Sequence, residues 1–363
     1  MIRKSAGGQI VAPRTVFDKI DEMLKATPNA TLTTTGAGDL QTAINSLQNN
    51  QLLEIKTNSQ YSPIILPADK AIKVRVAHGY KPSLAGQECI KIPNGAKGHI
   101  VSGLYIAAPS PGNPNYQGAA ITFAAHRAIV EDIIFHDITI DNVTGGSAVM
   151  LSYHWTADGD TYFTANLPEE NSKDIALVDC AFYKGCKDGV EGAGITLRGV
   201  DRAFIYNCYF NNDGQDGRGI QLQNCRDFLI EKNRVYNFPL NNGEGIKIDM
   251  MGSCTFPSTG KIRDCRVKNC IEGIDVDDNV VAHVYRNRVS ACSASGSKGI
   301  SLDDSSRGYF ELNECWDNYD GIRCEAGSVS ELKNNVCYSN TNQNYRMDNG
   351  YVPDASNLTA ALE

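Results

Sequence analysis

From about residue 95 onward, apolar and polar positions alternate in short runs that restart at fixed intervals. A Gly-Ile pair recurs at Gly194-Ile195, Gly219-Ile220, Gly245-Ile246, Gly273-Ile274, Gly299-Ile300 and Gly321-Ile322, with spacings of 25, 26, 28, 26 and 22 residues. Ten residues beyond the isoleucine stands another apolar residue in five of the six units: Ile205, Ile230, Val284, Phe310 and Leu332. After Ile246 the insertion "MMGSCTFPSTG" displaces that role to Ile262. Each unit then carries a small polar or thiol residue (Cys208, Asn233, Cys265, Asn287, Asn313, Asn335) and, two positions on, a core-type residue (Phe210, Val235, Val267, Val289, Cys315, Cys337). Period-two alternation broken by Gly, Asn and Asp predicts several short strands per unit and no long helix. A unit this short cannot close a core alone, so the period predicts stacked rungs. An Asn column at one bend predicts amide side chains bonded from rung to rung, and Cys fills the same bend as a small hydrophobe.

The Gly-Ile-x-apolar phrase, the "IxxN" phrase and the Asn column together resemble the right-handed parallel β-helix proteins of the pectate-lyase-like superfamily, over roughly residues 95–345. The resemblance implies an all-β fold, a right-handed parallel β-helix solenoid with an N-terminal capping helix, and carbohydrate chemistry. "AGDLQTAINSLQNN" (37–50) reads as that helix, with Leu40, Ile44 and Leu47 on one face. It would cover strand edges that an open solenoid leaves unpaired. The expected organisation is an N-terminal arm, attachment or oligomerisation segment over 1–35, the β-helix over 36–345, and a C-terminal cap or tail over 346–363.

Alternation also sorts the residues after each Gly-Ile. Leu197, Leu222, Ile248, Val276, Leu302 and Cys324 face the core. Two columns face outward. One reads Thr196, Gln221, Lys247, Asp275, Ser301, Arg323, and the other Arg198, Gln223, Asp249, Asp277, Asp303, Glu325. At about 4.8 Å per rung, Asp249, Asp277 and Asp303 form a column of carboxylates beside Asp275 and Lys247. Like charges opposite each other oppose sheet formation, so such a column is a solvated stripe, a cation or sugar site, or a catalytic site. Crowding raises one carboxyl pKa and so makes a general acid.

In a catalytic reading, Asp249, Asp277, Asp303, Asp275 and Lys247 do the chemistry, with Arg323, Arg198 and Gln223 binding substrate. Tyr153, His154 and Trp155, in the excursion "YHWTADGDTYF", offer an aromatic platform for sugar rings. Glycoside hydrolysis by two carboxyl groups is the first reading. A polysaccharide lyase using Lys247 with calcium on oxygen ligands is a second. A non-catalytic phage tail-spike, tail-fibre or adhesin module that binds sugar, assembled as a homotrimer, is a third. The chain carries none of the "NTD", "GHG" and "RIK" phrases of polygalacturonases, the "WIDH" and "RxPxxR" phrases of pectate lyases, or the "DPHE"-like phrase of alginate epimerases. The resemblance therefore specifies an architecture and leaves the activity open.

Composition narrows the partners. Of 363 residues, 42% are hydrophobic, as a large core requires, and the net charge of −8 opposes a nucleic-acid surface. No run of about 18 apolar residues predicts a membrane span. The N-terminus holds no continuous apolar stretch of the secretory kind, which gives the expectation of cytoplasmic synthesis without a signal peptide, and a virion association in the tail-spike reading. Twelve cysteines without any CxxC pair read as core thiols, neither a disulfide framework nor a zinc site. "NNDGQDGRG" (211–219) reads as a turn before it reads as a calcium loop. His126, His136 and His283 lack metal-ligand spacing.

Overall fold

The computed structural model describes residues 13–86, 88–107, 120–123, 129–141, 148–151, 171–183, 193–213, 217–240, 243–250 and 256–359. These residues form a parallel β-solenoid of about 10 turns, mostly strand, with two short helices. Three long parallel sheets run the length of the coil. Each full rung contributes one strand to each sheet, as in Thr259–Arg263 (sheet I), Arg266–Cys270 (sheet II) and Glu272–Val276 (sheet III). The strands pair in strict register from one rung to the next, with Ile220, Ile246, Ile274, Ile300 and Ile322 in line. Those isoleucines and the inward residues of the other two sheets make one continuous core along the axis.

The bend between sheets I and II is a single residue in the left-handed region: Asp179, Asn207, Lys232, Asp264, Arg286, Leu312 and Asn334 all have φ between 51° and 58°. The next position carries the amide ladder. Asn287 Nδ2 donates to Asn313 Oδ1 at 3.0 Å, Asn313 Nδ2 to Asn335 Oδ1 at 2.9 Å, and Asn335 Nδ2 to Asn357 Oδ1 at 2.9 Å. Each oxygen also accepts the backbone N–H of the preceding rung, as from Cys208 to Asn233 and from Cys265 to Asn287. Groups turned inward at a tight bend are thus satisfied without water. The ten described cysteines are all free and buried.

Every Cβ crowds the following carbonyl at this bend, and among these seven residues leucine is the one without a polar side chain to bond locally in compensation. Leu312 is also half exposed, so it packs little in return. Leu312→Asn, which copies Asn207 and Asn334, is expected to raise the unfolding free energy by about 1 kcal/mol in urea titration.

The capping helix α2 spans Asp39–Ser46, with Leu40 and Ile44 fully buried over the first rung and Leu47 just beyond it. Residues 13–32 pack on the solenoid. Helix α1 (Pro13–Lys25) lies along the outside of sheet I, and Val16, Ile20 and Met23 bury against Leu52, Ile100, Ile134, Ala176, Phe204 and Leu229. These sheet residues belong to one outward column, which turns polar past Leu229 as Lys261, His283, Tyr309 and Glu331. Arg75 closes the helix end by donating to the carbonyls of Met23 and Leu24 at 2.7 and 2.8 Å. Ala30–Leu32 then adds a strand to sheet I. At the far end, Gln343–Met347 still pairs in sheet III, Tyr351 packs on the core, and Leu358 bridges to Val336.

Candidate functional site

The outer face of sheet III concentrates charge. Its two expected columns are in register. Gln221, Lys247, Asp275, Ser301 and Arg323 align through paired strands. Arg198, Gln223 and Asp249 align likewise. The second column continues because Asp277 N–H donates to the Ile248 carbonyl and Asp303 N–H to that of Val276, each at 2.9 Å.

A third column was hidden from the alternation. It consists of the residue before each Gly: Arg218, Glu244, Glu272, Lys298 and Asp320, with the last four in register. Strict period two would turn these side chains into the core with the isoleucines. The glycines prevent it. A Cβ built on Gly245 would point inward, 2.4 Å from Val267 Cγ1 and 2.6 Å from the Gly273 carbonyl oxygen. Gly and Ile therefore both face inward, the alternation slips by one, and the residue before Gly joins the outer face. A Gly is needed because no Cβ fits under the next rung.

The three columns interlock through two lysines. Lys247 Nζ lies 2.8 Å from Asp275 Oδ2, 3.1 Å from Asp277 Oδ2 and 3.8 Å from Glu244 Oε1. Lys298 Nζ lies 2.9 Å from Glu272 Oε1, 2.8 Å from Asp303 Oδ2 and 3.8 Å from Glu325 Oε1. Ser301 Oγ donates to Asp275 Oδ1 at 2.7 Å. Upstream, Arg218 Nε donates to Glu244 Oε2 at 2.7 Å, Arg198 Nε donates to Gln223 Oε1, and Gln223 Nε2 reaches Asp249 Oδ2 at 3.1 Å. Downstream, Arg323 pairs with Glu325 at 2.8 Å and with Asp348 at 3.4 Å.

This face is no solvated stripe. Asp249, Asp275 and Asp303 are 5%, 2% and 8% exposed, and Arg198 and Gln223 are buried with them. Side chains standing side by side on successive rungs exclude water from one another. Burial therefore governs protonation. It pushes Asp249 up to about 7 against the opposing pull of Lys247, Arg218 and Arg198. Burial and the nearby Asp275 charge raise Glu272 to about 8 and Asp303 to about 7, although Lys298 opposes both. Asp275 goes the other way. Burial disfavours its charge, but Lys247, Ser301 and Lys298 outweigh burial and hold it below the ordinary carboxyl value. Both lysines are held above their ordinary value, since their carboxylate partners outweigh the burial that would lower them.

Asp249 Oδ1 and Asp303 Oδ1 are buried without a hydrogen-bond partner among the described residues. Oxygens of Glu272, Asp275 and Asp303 lie within 4.8 Å of one another, with Lys247 and Lys298 already supplying positive charge. Oxygens of Asp277, Asp278 and Asp304 are equally close and are the described group that a calcium ion would fit. Tyr153, His154 and Trp155 lie outside the described residues.

Three interlocking parallel sheets and an amide ladder at one bend define a parallel β-helix, with a charged outer face on one sheet. The family model described as a right handed beta helix region matches residues 169–298. Solved structures of similar fold include a rhamnogalacturonan lyase, at 11% identity over 85% of this chain and 87% of the other, with a TM-score of 0.53. They also include a periplasmic alginate epimerase, at 13% identity over 89% and 74%, with a TM-score of 0.52. A pectate lyase matches at 11% identity over 86% and 80%, with a TM-score of 0.50. At these identities the likeness is one of fold. No curated protein matches the chain by sequence.

Proposed function

We propose that the outer face of sheet III is the active site of a polysaccharide-cleaving enzyme that works by carboxyl acid–base chemistry. The single observation that carries this reading is Asp303: a carboxyl group with a pKa near about 7, one oxygen on Lys298 and the other unpartnered. Such a group holds a proton near neutral pH; its free oxygen is covered by neighbouring side chains, so giving the proton to a leaving glycosidic oxygen requires them to part. Asp277, on the adjacent rung, supplies the second carboxylate, which attacks the sugar or activates water; burial and Asp275 raise its pKa from the ordinary value, and the paired Lys247 ammonium opposes them. Rungs about 4.8 Å apart give the backbones of the two residues a spacing like that of the carboxyl pair in retaining enzymes, about 5 Å. Asp275 is buried with both oxygens engaged, so its role is to hold the fixed negative charge that keeps Asp303 and Glu272 protonated. The carbohydrate-acting proteins of similar fold support the substrate class.

Elimination by Lys247 fits less well. A lyase base must be neutral before it takes a proton, and three carboxylates around Lys247 keep it charged.

The test is incubation with a panel of uronate and neutral polysaccharides, following reducing ends and unsaturated uronate separately. Wild type is expected to release reducing ends without unsaturation. Asp303→Asn and Asp277→Asn are each expected to lower the rate by about 10²–10⁴-fold while keeping the wild-type circular dichroism. Unsaturated product would replace hydrolysis with elimination. Cleavage that survives both substitutions would move the site elsewhere. No cleavage across the panel would favour a sugar-binding spike or adhesin module.

A further inference from the structure

The outer face of sheet II carries a different pattern. One outward column reads Tyr209, Arg234, Arg266, Arg288, Glu314 on five successive rungs. The column beside it reads Tyr236, Lys268, Ser290, Trp316, Tyr338. Arg234, Arg266, Lys268 and Arg288 are exposed. Three arginines opposite one another on consecutive rungs repel at about 4.8 Å spacing, on a chain whose net charge is −8. Acidic neighbours only partly answer them. Arg288 pairs with Glu314 at 3.1 Å, and Arg286, at the bend beside the column, pairs with Asp264 at 2.8 Å. Among the described residues, Arg234 and Arg266 have no ion-pair partner.

Aromatic rings flank the basic stretch on both sides. Tyr183, Tyr209 and Tyr236 form a contiguous set with centroids 5.4 and 5.8 Å apart. Trp316 and Tyr338 are stacked with planes 5° apart. Between them, Arg266, Arg286, Arg288, Asn287, Leu312 and Glu314 line part of a depression of about 350 Å³.

We propose that this face of sheet II is a docking surface for an anionic polysaccharide, separate from the sheet III site. The chain would lie along the solenoid axis. Its carboxylate or sulfate groups would meet the guanidinium row, where planar forks suit such anions, and its apolar ring faces would rest on the flanking aromatics. Tyr209 to Trp316 spans four rungs, about 19 Å, room for several sugar units. Exposed cations and rings in one line make an extended, shallow surface, which suits a polymer better than a small ligand. Its function would be to hold the polymer on the protein while the sheet III face acts on another stretch.

The probe is affinity electrophoresis of the full chain through gels containing polygalacturonate, neutral dextran or single-stranded RNA. Polygalacturonate is expected to retard the protein, dextran is not, and added salt is expected to relieve the retardation. The triple variant Arg234→Gln/Arg266→Gln/Arg288→Gln is expected to weaken polygalacturonate binding by about 10-fold or more, as loss of three cationic contacts implies. Wild type and variant are each scored against their own mobility in a gel without polymer, so this test stands even if the sheet III face proves non-catalytic. No retardation by polygalacturonate overturns the proposal. So does retardation unchanged in the triple variant, or stronger retention by RNA.

Discussion

Gly273→Ala is expected to destabilise the protein by about 3 kcal/mol, the upper end of ordinary overpacking. The added Cβ would stand 2.2 Å from Val289 Cγ1 and 2.4 Å from the Gly299 carbonyl oxygen. The valine could rotate, but the oxygen belongs to the backbone of the next rung and cannot retreat without breaking register. Relief requires turning residue 273 outward, which would drive Glu272 inward, away from Lys298. The substitution therefore tests the slipped alternation that places Glu244, Glu272 and Lys298 on the outer face. Urea unfolding reads the loss. A change below about 1 kcal/mol would mean that the Gly position has room for a side chain.

Asp249→Asn is expected to stabilise the protein in a pH-dependent way. Asp249 is buried, with a pKa of about 7 against an ordinary 3.8. Between these values the folded protein binds a proton that the unfolded chain has released. Stability from this group is thus fully present below about 3.8 and is lost as the pH rises to about 7. Asparagine has nearly the same shape and never ionises, so the variant does not suffer this loss. The advantage of the variant should be near zero at pH 4 and grow to about 4 kcal/mol at pH 8, by the conversion of pKa shift to free energy. Unfolding titrations at a series of pH values measure it. A variant less stable than wild type at pH 8 would mean that Arg198, Arg218 and Lys247 hold Asp249 ionised.

Much of this architecture is legible because a β-helix repeats the same local problem. Gly-Ile pairs at a steady period mark the rungs, and the Asn column marks a bend where buried amides must be satisfied. Alternation after the isoleucine places Lys247, Asp249, Asp275, Asp277 and Asp303 on one outer face, where the paired strands put them. What escaped reading is non-local. Glu272 and Lys298 precede glycines whose missing side chains reverse the alternation, and that reversal follows from the next rung's backbone. The burial of Asp249 and Asp275 was equally hidden, since it comes from neighbours a full rung away in sequence. Helix α1 packs where a column of outward apolar residues, Ile100 through Leu229, awaited a cover. That column was present in the sequence, once the strands were aligned. The sheet II arginines were legible too, in the phrases "NRV", "CRV" and "NRV" at 233–235, 265–267 and 287–289.

Acid–base chemistry on sheet III requires the carboxyl groups of one face to be driven to different protonation states. Site-resolved carbon NMR titration of the Asp and Glu carboxyl groups measures this without needing a substrate. Asp303 and Asp249 are expected to titrate near about 7 and Glu272 near about 8, while Asp275 stays ionised down to acidic pH. If all four titrate near the ordinary carboxyl value of about 4, no proton donor stands on this face at neutral pH, and the acid–base reading of sheet III is wrong.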